Sequence, residues 1–261
     1  MTDLLDMFSL QGKVAVVTGG AGLFGMQCGM ALSRAGAKTY ISSRNADKLP
    51  SMVEAYARLG CVVHALQLDQ ESEQSVQSFK QRILDENDGQ VDILVNNAGA
   101  RVMSDWHDTA NFARSMSIYA AGLYLVTRAF GDVMAHRGGG SIINIGSIHG
   151  MNGPDASLYE GLNMNGFVPD YFFVKGGMIN FTRFVASYYG SRSVRCNCVS
   201  PGGLRSERNT AEFADRYAKR TFLGRMANES DLMGTIVYLA SDASAYVTGI
   251  NLPVDGGYTA K

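Results

Sequence analysis

The chain has 261 residues, 46% hydrophobic and 18% charged, with 23 basic against 24 acidic side chains and a formal net charge of −1. That length and balance suit one large α/β domain with a sizeable buried core. A charge so close to zero excludes a general electrostatic hold on nucleic acid or an anionic membrane, so a small neutral or mildly polar ligand fits better.

The first ten residues carry Asp3 and Asp6 and no basic side chain, unlike a secretory leader. No apolar run reaches the roughly 18 residues of a membrane helix, and a cytoplasmic location is expected. Cys28, Cys61, Cys196 and Cys198 complete no metal-ligand cluster and are read as buried structural thiols.

Strand-like runs occur at 13–18, 38–42, 61–68, 93–96, 141–145, 194–199 and 250–254. Most are short, β-branched and continuously apolar, as strands covered on both faces of a parallel sheet should be. The stretches between them, such as 113–134 and 175–189, have helical spacing. This alternation predicts an α/β fold of the Rossmann type, a doubly wound parallel sheet of about seven strands with helices on both faces. No repeat, low-complexity tract or Pro/Gly linker divides residues 1–261, which are read as a single domain.

The first run leads into Thr18-Gly19-Gly20-Ala21-Gly22-Leu23-Phe24-Gly25 and then a helix to about residue 34. Glycines there let the backbone turn tightly and approach a pyrophosphate, whose charge meets the helix N-terminus. Glycine-rich turns are common in a chain with 30 glycines, and it is the position after the first strand that gives this one meaning. At the end of the second run, where an NAD site usually offers an acid to the ribose 2′-hydroxyl, stand Ser42, Ser43 and Arg44. Arg44 suits a 2′-phosphate, helped by the serine hydroxyls, so NADP is favoured, with NAD possible; a solvated surface arginine is the alternative.

Tyr171 and Lys175 lie four residues apart on a predicted helix and share a face. A phenol is a weak base at neutral pH, and a neighbouring ammonium favours its ionised form. Ser147, at the end of a strand-like run, suits a hydrogen bond to a reacting oxygen. It lacks the strand-to-helix elbow of a hydrolase nucleophile.

Taken in order, the glycine-rich turn, Asn96-Asn97-Ala98-Gly99, Ser147, Tyr171 with Lys175, Pro201-Gly202 and Asp255-Gly256-Gly257 resemble the short-chain dehydrogenase/reductase family, over essentially the whole chain. The resemblance implies an NAD(P)-dependent oxidoreductase that moves hydride between the cofactor and an alcohol or carbonyl carbon. It implies Tyr171 as the acid/base, Lys175 as the holder of the nicotinamide ribose and Ser147 as the substrate-positioning hydroxyl. Gly19, Gly22, Leu23, Phe24 and Gly25 would bind the pyrophosphate, Ser43 and Arg44 the ribose, and Asp69 would lie near the adenine. Asn96, Ala98 and Gly99 would steady the sheet and line the adenosine-ribose side, while Pro201, Gly202 and Leu204 would border the nicotinamide. A homotetramer is expected.

Two departures from the family pattern stand out. The turn is usually Thr-Gly-x-x-x-Gly-x-Gly, and in that register the second glycine is Leu23, with Gly22 one place early. The asparagine that usually completes the catalytic set, and helps hold a proton-relaying water, aligns with Tyr119.

Ser147 and Tyr171 are 24 residues apart, where the family more often has a little over a dozen. The extra segment, 155–170, carries Tyr159, Glu160 and Asn163, and with Arg101, His149 and Asn152 it is expected to offer polar contacts to a hydroxyl-rich substrate. Similar extensions occur in family members acting on sugars, sugar acids or nucleotide-linked sugars; packing at a subunit interface is the alternative. Segment 204–222 looks like a lid. Neither His107 nor His149 has a second ligand at metal spacing, so no metal is expected. Trp106 and the methionines are assigned to cores and pocket walls. The runner-up activity is reduction of a 3-oxoacyl chain or apolar ketone, and a cofactor-binding sensor without turnover is the reading from another class.

Overall fold

A computed structural model describes residues 3–100, 102–162 and 168–260. Arg101 and Asn163 lie outside the described residues. Seven strands form one all-parallel sheet: β1 (Val14–Val17), β2 (Lys38–Ser43), β3 (Val63–Gln67), β4 (Ile93–Asn96), β5 (Gly140–Ile145), β6 (Val194–Pro201) and β7 (Asn251–Val254). Their order is β3-β2-β1-β4-β5-β6-β7. The winding reverses between β1 and β4, which opens a crevice beyond the carboxyl ends of those strands.

The helices are α1 (Leu23–Arg34), α2 (Leu49–Arg58), α3 (Glu73–Asp85), α4 (Thr109–Met116), α5 (Gly122–His136), α6 (Pro169–Tyr189), α7 (Ala211–Ala218) and α8 (Met233–Ala240). They cover both faces of the sheet, and the two-residue period of the strands divides the core accordingly. Ala15, Val17, Ile93 and Val95 pack with Cys28 and Leu32 of α1 and with Ile236 and Leu239 of α8. Val14, Val16 and Leu94 pack on the opposite side with Phe79, Ile83, Val126, Phe130 and Tyr189. Strands buried on both faces read as unbroken apolar runs, which is why they are recognisable in the sequence.

Three details differ from the sequence reading. The helical stretch at 113–134 is two helices, α4 and α5, joined by a π turn at Ser117–Ala121. The later helix, expected to carry Tyr171 and Lys175 and traced by its spacing only over 175–189, starts at Pro169, where proline at the first helical position costs no hydrogen bond. Trp106 is 71% exposed and packs in no core.

All four cysteines are buried free thiols. Burial pushes the Cys28 thiol up to about 12 and raises Cys196 and Cys198 as well. Among the described residues no group of His, Cys, Asp and Glu could hold a metal ion, and no helix is long and apolar enough to cross a membrane.

A buried polar chain fixes the helices of the site to the sheet. Asn96 Nδ2 donates to Thr127 Oγ1 of α5 and to Asn144 Oδ1 of β5, each at 2.9 Å. Asn144 Nδ2 then donates to Thr182 Oγ1 of α6 at 2.9 Å. Asn96 is thus placed as a sheet brace rather than in the cavity wall.

Candidate active site

A cavity of about 660 Å³ opens at the carboxyl ends of the strands and runs from the β1–α1 turn to α7. One end is a glycine cradle. Gly19 has a φ of +67°, and a Cβ there would lie 2.8 Å from Ala98 Cα. A Cβ on Gly25 would lie 2.2 Å from the Gly19 carbonyl oxygen. Both positions therefore exclude a side chain. Asn97 Nδ2 donates to the Thr18 and Gly19 carbonyls at 3.0 and 2.9 Å, and the Tyr56 hydroxyl reaches the Gly20 and Gly25 carbonyls at 2.9 and 3.1 Å.

Gly22 is the N-cap of α1 and supplies no capping side chain. Gly19, Gly22, Leu23 and Phe24 all line the cavity, so the uncapped first turn faces it. A helix N-terminus with free amides and no side chain in the way suits a diphosphate. The residues present fit the pyrophosphate of a dinucleotide, even with Leu23 where a glycine is usual.

Beside the cradle, Ser42 Oγ accepts a hydrogen bond from the Gly19 amide at 3.3 Å. Ser43, Arg44 and Glu71 continue the wall, with Arg44 Nη1 3.7 Å from Glu71 Oε2 and its side chain half exposed. Leu68 and Gln70 line the cavity, whereas the Asp69 carboxylate between them accepts the Glu71 amide and shapes the turn.

The middle of the cavity brings together Ser147, Tyr171, Lys175 and Tyr119. Ser147 follows β5, and its Oγ accepts the His149 amide at 3.1 Å, which starts a short turn at Ile148–Gly150. That turn presses on α6 so closely that a Cβ on Gly150 would lie 2.5 Å from the Lys175 carbonyl oxygen. Tyr171 and Lys175 stand one turn apart on α6. Lys175 is buried, its Nζ donates to the Ile145 carbonyl at 2.5 Å, and it lies 5.6 Å from the Tyr171 ring centre and 5.8 Å from that of Tyr119. The Tyr119 and Tyr171 rings meet edge to face at 6.3 Å.

Tyr119 owes its position to the π turn, a device that often re-aims a side chain at a functional site. Gln70 Nε2 donates to the Ile118 carbonyl of that turn at 2.6 Å. At the start of α6, Asp170 is buried and bonded to Ser115 of α4, while its Oδ1 has no hydrogen-bond partner.

The far end is walled by Tyr159, Phe213, Tyr217 and Met226, with His149 and the 203–209 segment. The inserted segment is fastened to α7 and the residues after it. Arg220 pairs with Asp155 and donates to Ser157 Oγ at 2.5 Å. Arg216 donates to the Glu160 carbonyl at 2.6 Å, and the Tyr159 and Phe213 rings are 5.6 Å apart. Hydrogen bonds from Arg220 and then Ser157 hold the Asp155 carboxyl below the usual carboxylate range. Tyr217 accepts the Gly203 amide, and burial raises its phenol above the ordinary value.

Of the residues expected to meet substrate, the structure brings His149 and Tyr159 to the cavity wall. Asn152 and Glu160 are exposed and outside it; Glu160 takes part through its backbone. Pro201, Gly202, Leu204, Ala98 and Gly99 line the cavity. Sequence reasoning missed Asn97, Gln70, Arg208, Phe213, Tyr217 and Met226. Asn97 sits inside a motif already singled out, and Phe213 and Tyr217 share the apolar face of α7 at a spacing of four. Arg208 lies within the 204–222 segment read as a lid but does not stand out there, and nothing in the sequence marks Gln70.

The family model described as enoyl-(acyl carrier protein) reductase matches residues 22–259. Galactitol 2-dehydrogenase (L-tagatose-forming) of Cereibacter sphaeroides is 31% identical over 98% of this chain and 99% of its own. The 7alpha-hydroxysteroid dehydrogenase of Clostridium sardiniense is 32% identical over 97% and 95%. A gluconate 5-dehydrogenase from Burkholderia cenocepacia, solved in complex with NADP and tartrate, superposes with a TM-score of 0.85 at 28% identity, covering 98% of this chain and 99% of that one.

Proposed function

The chain belongs to the short-chain dehydrogenase/reductase family of nicotinamide-dependent oxidoreductases, and from that premise we propose that it interconverts an alcohol and a carbonyl on a polyhydroxylated small molecule, with NADP preferred. The observation that carries this reading is the meeting of Ser147, Tyr171 and Lys175 in a cavity whose other end is the glycine cradle. The relatives named for galactitol and gluconate support a sugar or sugar acid as the substrate.

The nicotinamide ring, when bound, supplies or accepts the hydride. Gly19 and the first turn of α1 would hold the diphosphate, and Ser43 and Arg44 would take the 2′-phosphate. Ser147 Oγ hydrogen-bonds the substrate oxygen and steadies its developing charge. Tyr171 Oη takes the proton of the alcohol in oxidation and returns it in reduction. The ammonium of Lys175 stabilises negative charge on that phenol oxygen and is oriented by the Ile145 carbonyl. The aromatic wall excludes water from the reacting atoms.

The same wall favours one second reading. Tyr159, Phe213, Tyr217 and Met226 would also suit a 3-oxoacyl chain or an apolar ketone. Fluorescence titration with NADPH and NADH, then a turnover screen of sugars, sugar acids, polyols, oxoacyl thioesters and cyclic ketones, separates the two. Tight cofactor binding with no turnover of any class would make the protein a sensor.

The proposal includes a cytoplasmic homo-oligomer, a tetramer by family resemblance. Phe173, Phe184 and Tyr188 form an exposed aromatic row along α6, which supports pairing with a second copy. Sedimentation of the wild type against Phe184→Asp tests that contact.

A further inference from the structure

Four charged residues line the cavity: Arg44, Glu71, Lys175 and Arg208. Three have partners within the protein, since Arg44 lies 3.7 Å from Glu71 and Lys175 is bonded to the Ile145 carbonyl. Arg208 is exposed, and among the described residues no carboxylate pairs with it. The neighbouring acid, Glu207, is outside the cavity wall.

The loop that carries Arg208 is held from both sides. Leu204 bridges to Ala227, and the Arg205 amide donates to the Ala227 carbonyl at 2.8 Å. The Ser206 amide donates to Asn209 Oδ1 at 2.7 Å, and Arg205 reaches the Thr210 carbonyl at 3.3 Å. The neighbours of Arg208 thus spend their polar groups on the loop itself, while Arg208 lines the same cavity as Tyr159, Phe213 and His149. No acid lines this end of the cavity among the described residues.

We propose that Arg208 binds a carboxylate of the substrate, so that the polyhydroxylated molecule is a sugar acid; this rests on the function proposed above. A planar guanidinium matches a carboxylate in a two-bond fork. A phosphorylated substrate, with about two charges, would call for more cations than the one that stands here. The carboxylate is bound while the hydroxyl-bearing carbon lies at Ser147 and Tyr171, so the charge fixes which carbon reacts. Arg208 is a specificity residue and takes no part in proton transfer.

The test uses the full-length enzyme with NADP(H), comparing aldonates or their keto forms with alditols and ketoses of the same chain length. The wild type should prefer the acids, and their KM should rise with salt. Arg208→Gln should raise the KM for the acid about ten- to a hundredfold, with kcat changed much less, and should lower the acid-to-neutral selectivity accordingly. Arg208→Lys should restore part of it. If neutral polyols are turned over as well as acids and Arg208→Gln leaves the selectivity unchanged, the carboxylate inference fails while the function stands. If Arg208→Gln instead weakens NADPH binding in a fluorescence titration, Arg208 serves the cofactor phosphates and the inference also fails. No turnover of any polyhydroxylated compound removes both.

Discussion

The Tyr119 ring occupies the space that a side chain on Gly99 would fill: a Cβ there would lie 2.1 Å from Tyr119 Cε1 and 2.9 Å from its hydroxyl oxygen. Gly99 is not among the glycines with positive φ, so space rather than backbone conformation demands it. Gly99→Ala should therefore cost about 1 to 3 kcal/mol of stability and most of the activity. Tyr119→Asn, which withdraws the ring, should make Gly99→Ala nearly harmless. A double-mutant cycle on thermal unfolding reads the coupling, and independent, additive effects would show that the two residues do not share the space.

Tyr171→Phe keeps the ring that packs against Tyr119 and deletes only the hydroxyl. Turnover should fall by about 10² to 10⁴, the usual worth of a general acid–base. NADPH affinity, read by fluorescence, should stay within a few-fold. Near wild-type rates would remove Tyr171 from the proton transfer.

Arg44 and Glu71 form a half-exposed pair of little energetic worth, so the guanidinium is available to a better anion. NADP should bind more tightly than NAD, and Arg44→Ala should erase about ten- to a hundredfold of that difference. Glu71→Gln should widen it by removing the competing carboxylate. A wild-type preference for NAD in competition titrations would refute this role.

The Asp155–Arg220 pair gives the hold on the inserted segment a pH dependence of definite sign. Because the folded state holds the Asp155 carboxyl low, its contribution is complete above the ordinary aspartate range. It is lost as pH falls through the depressed folded value, never as pH rises. Hydrogen-exchange protection of residues 155–162, taken against the intrinsic rate at each pH, should fall on acidification, and Asp155→Asn should show low protection throughout. Unchanged protection in Arg220→Ala would show that the segment is held by other contacts.

Much of the architecture is legible in the sequence because its signals are local. Each strand run predicts its strand to within about two residues; for the inner strands β1, β4 and β5 this is because burial on both faces favours apolar side chains, whereas the edge strands β3 and β7 are only partly buried. The π turn at Ser117–Ala121 leaves no such mark, because one extra residue barely disturbs a helical apolar pattern. Gly99 is visible within its motif, but the reason for it, the Tyr119 ring, comes from another element. Glu160 shows the limit most clearly: its side chain suggested a substrate contact, whereas its backbone carbonyl is what Arg216 holds. Arg208 carries no pattern at all, and only the folding of the 203–210 loop over the cavity gives it a setting.

The π turn also lets the chain carry one residue more than a regular helix needs between α4 and α5. The wide turn takes up that residue, so the two helices keep the facing that one continuous α-helix would give them. Deleting a single residue from 117–121 should therefore leave Ser115 on Asp170 and Thr127 on Asn96, and change only the turn itself, where Gln70 holds the Ile118 carbonyl. The deletion thus tells length from identity: Tyr119→Phe alters a side chain in place, whereas a one-residue deletion removes the widened turn and keeps both of its flanks.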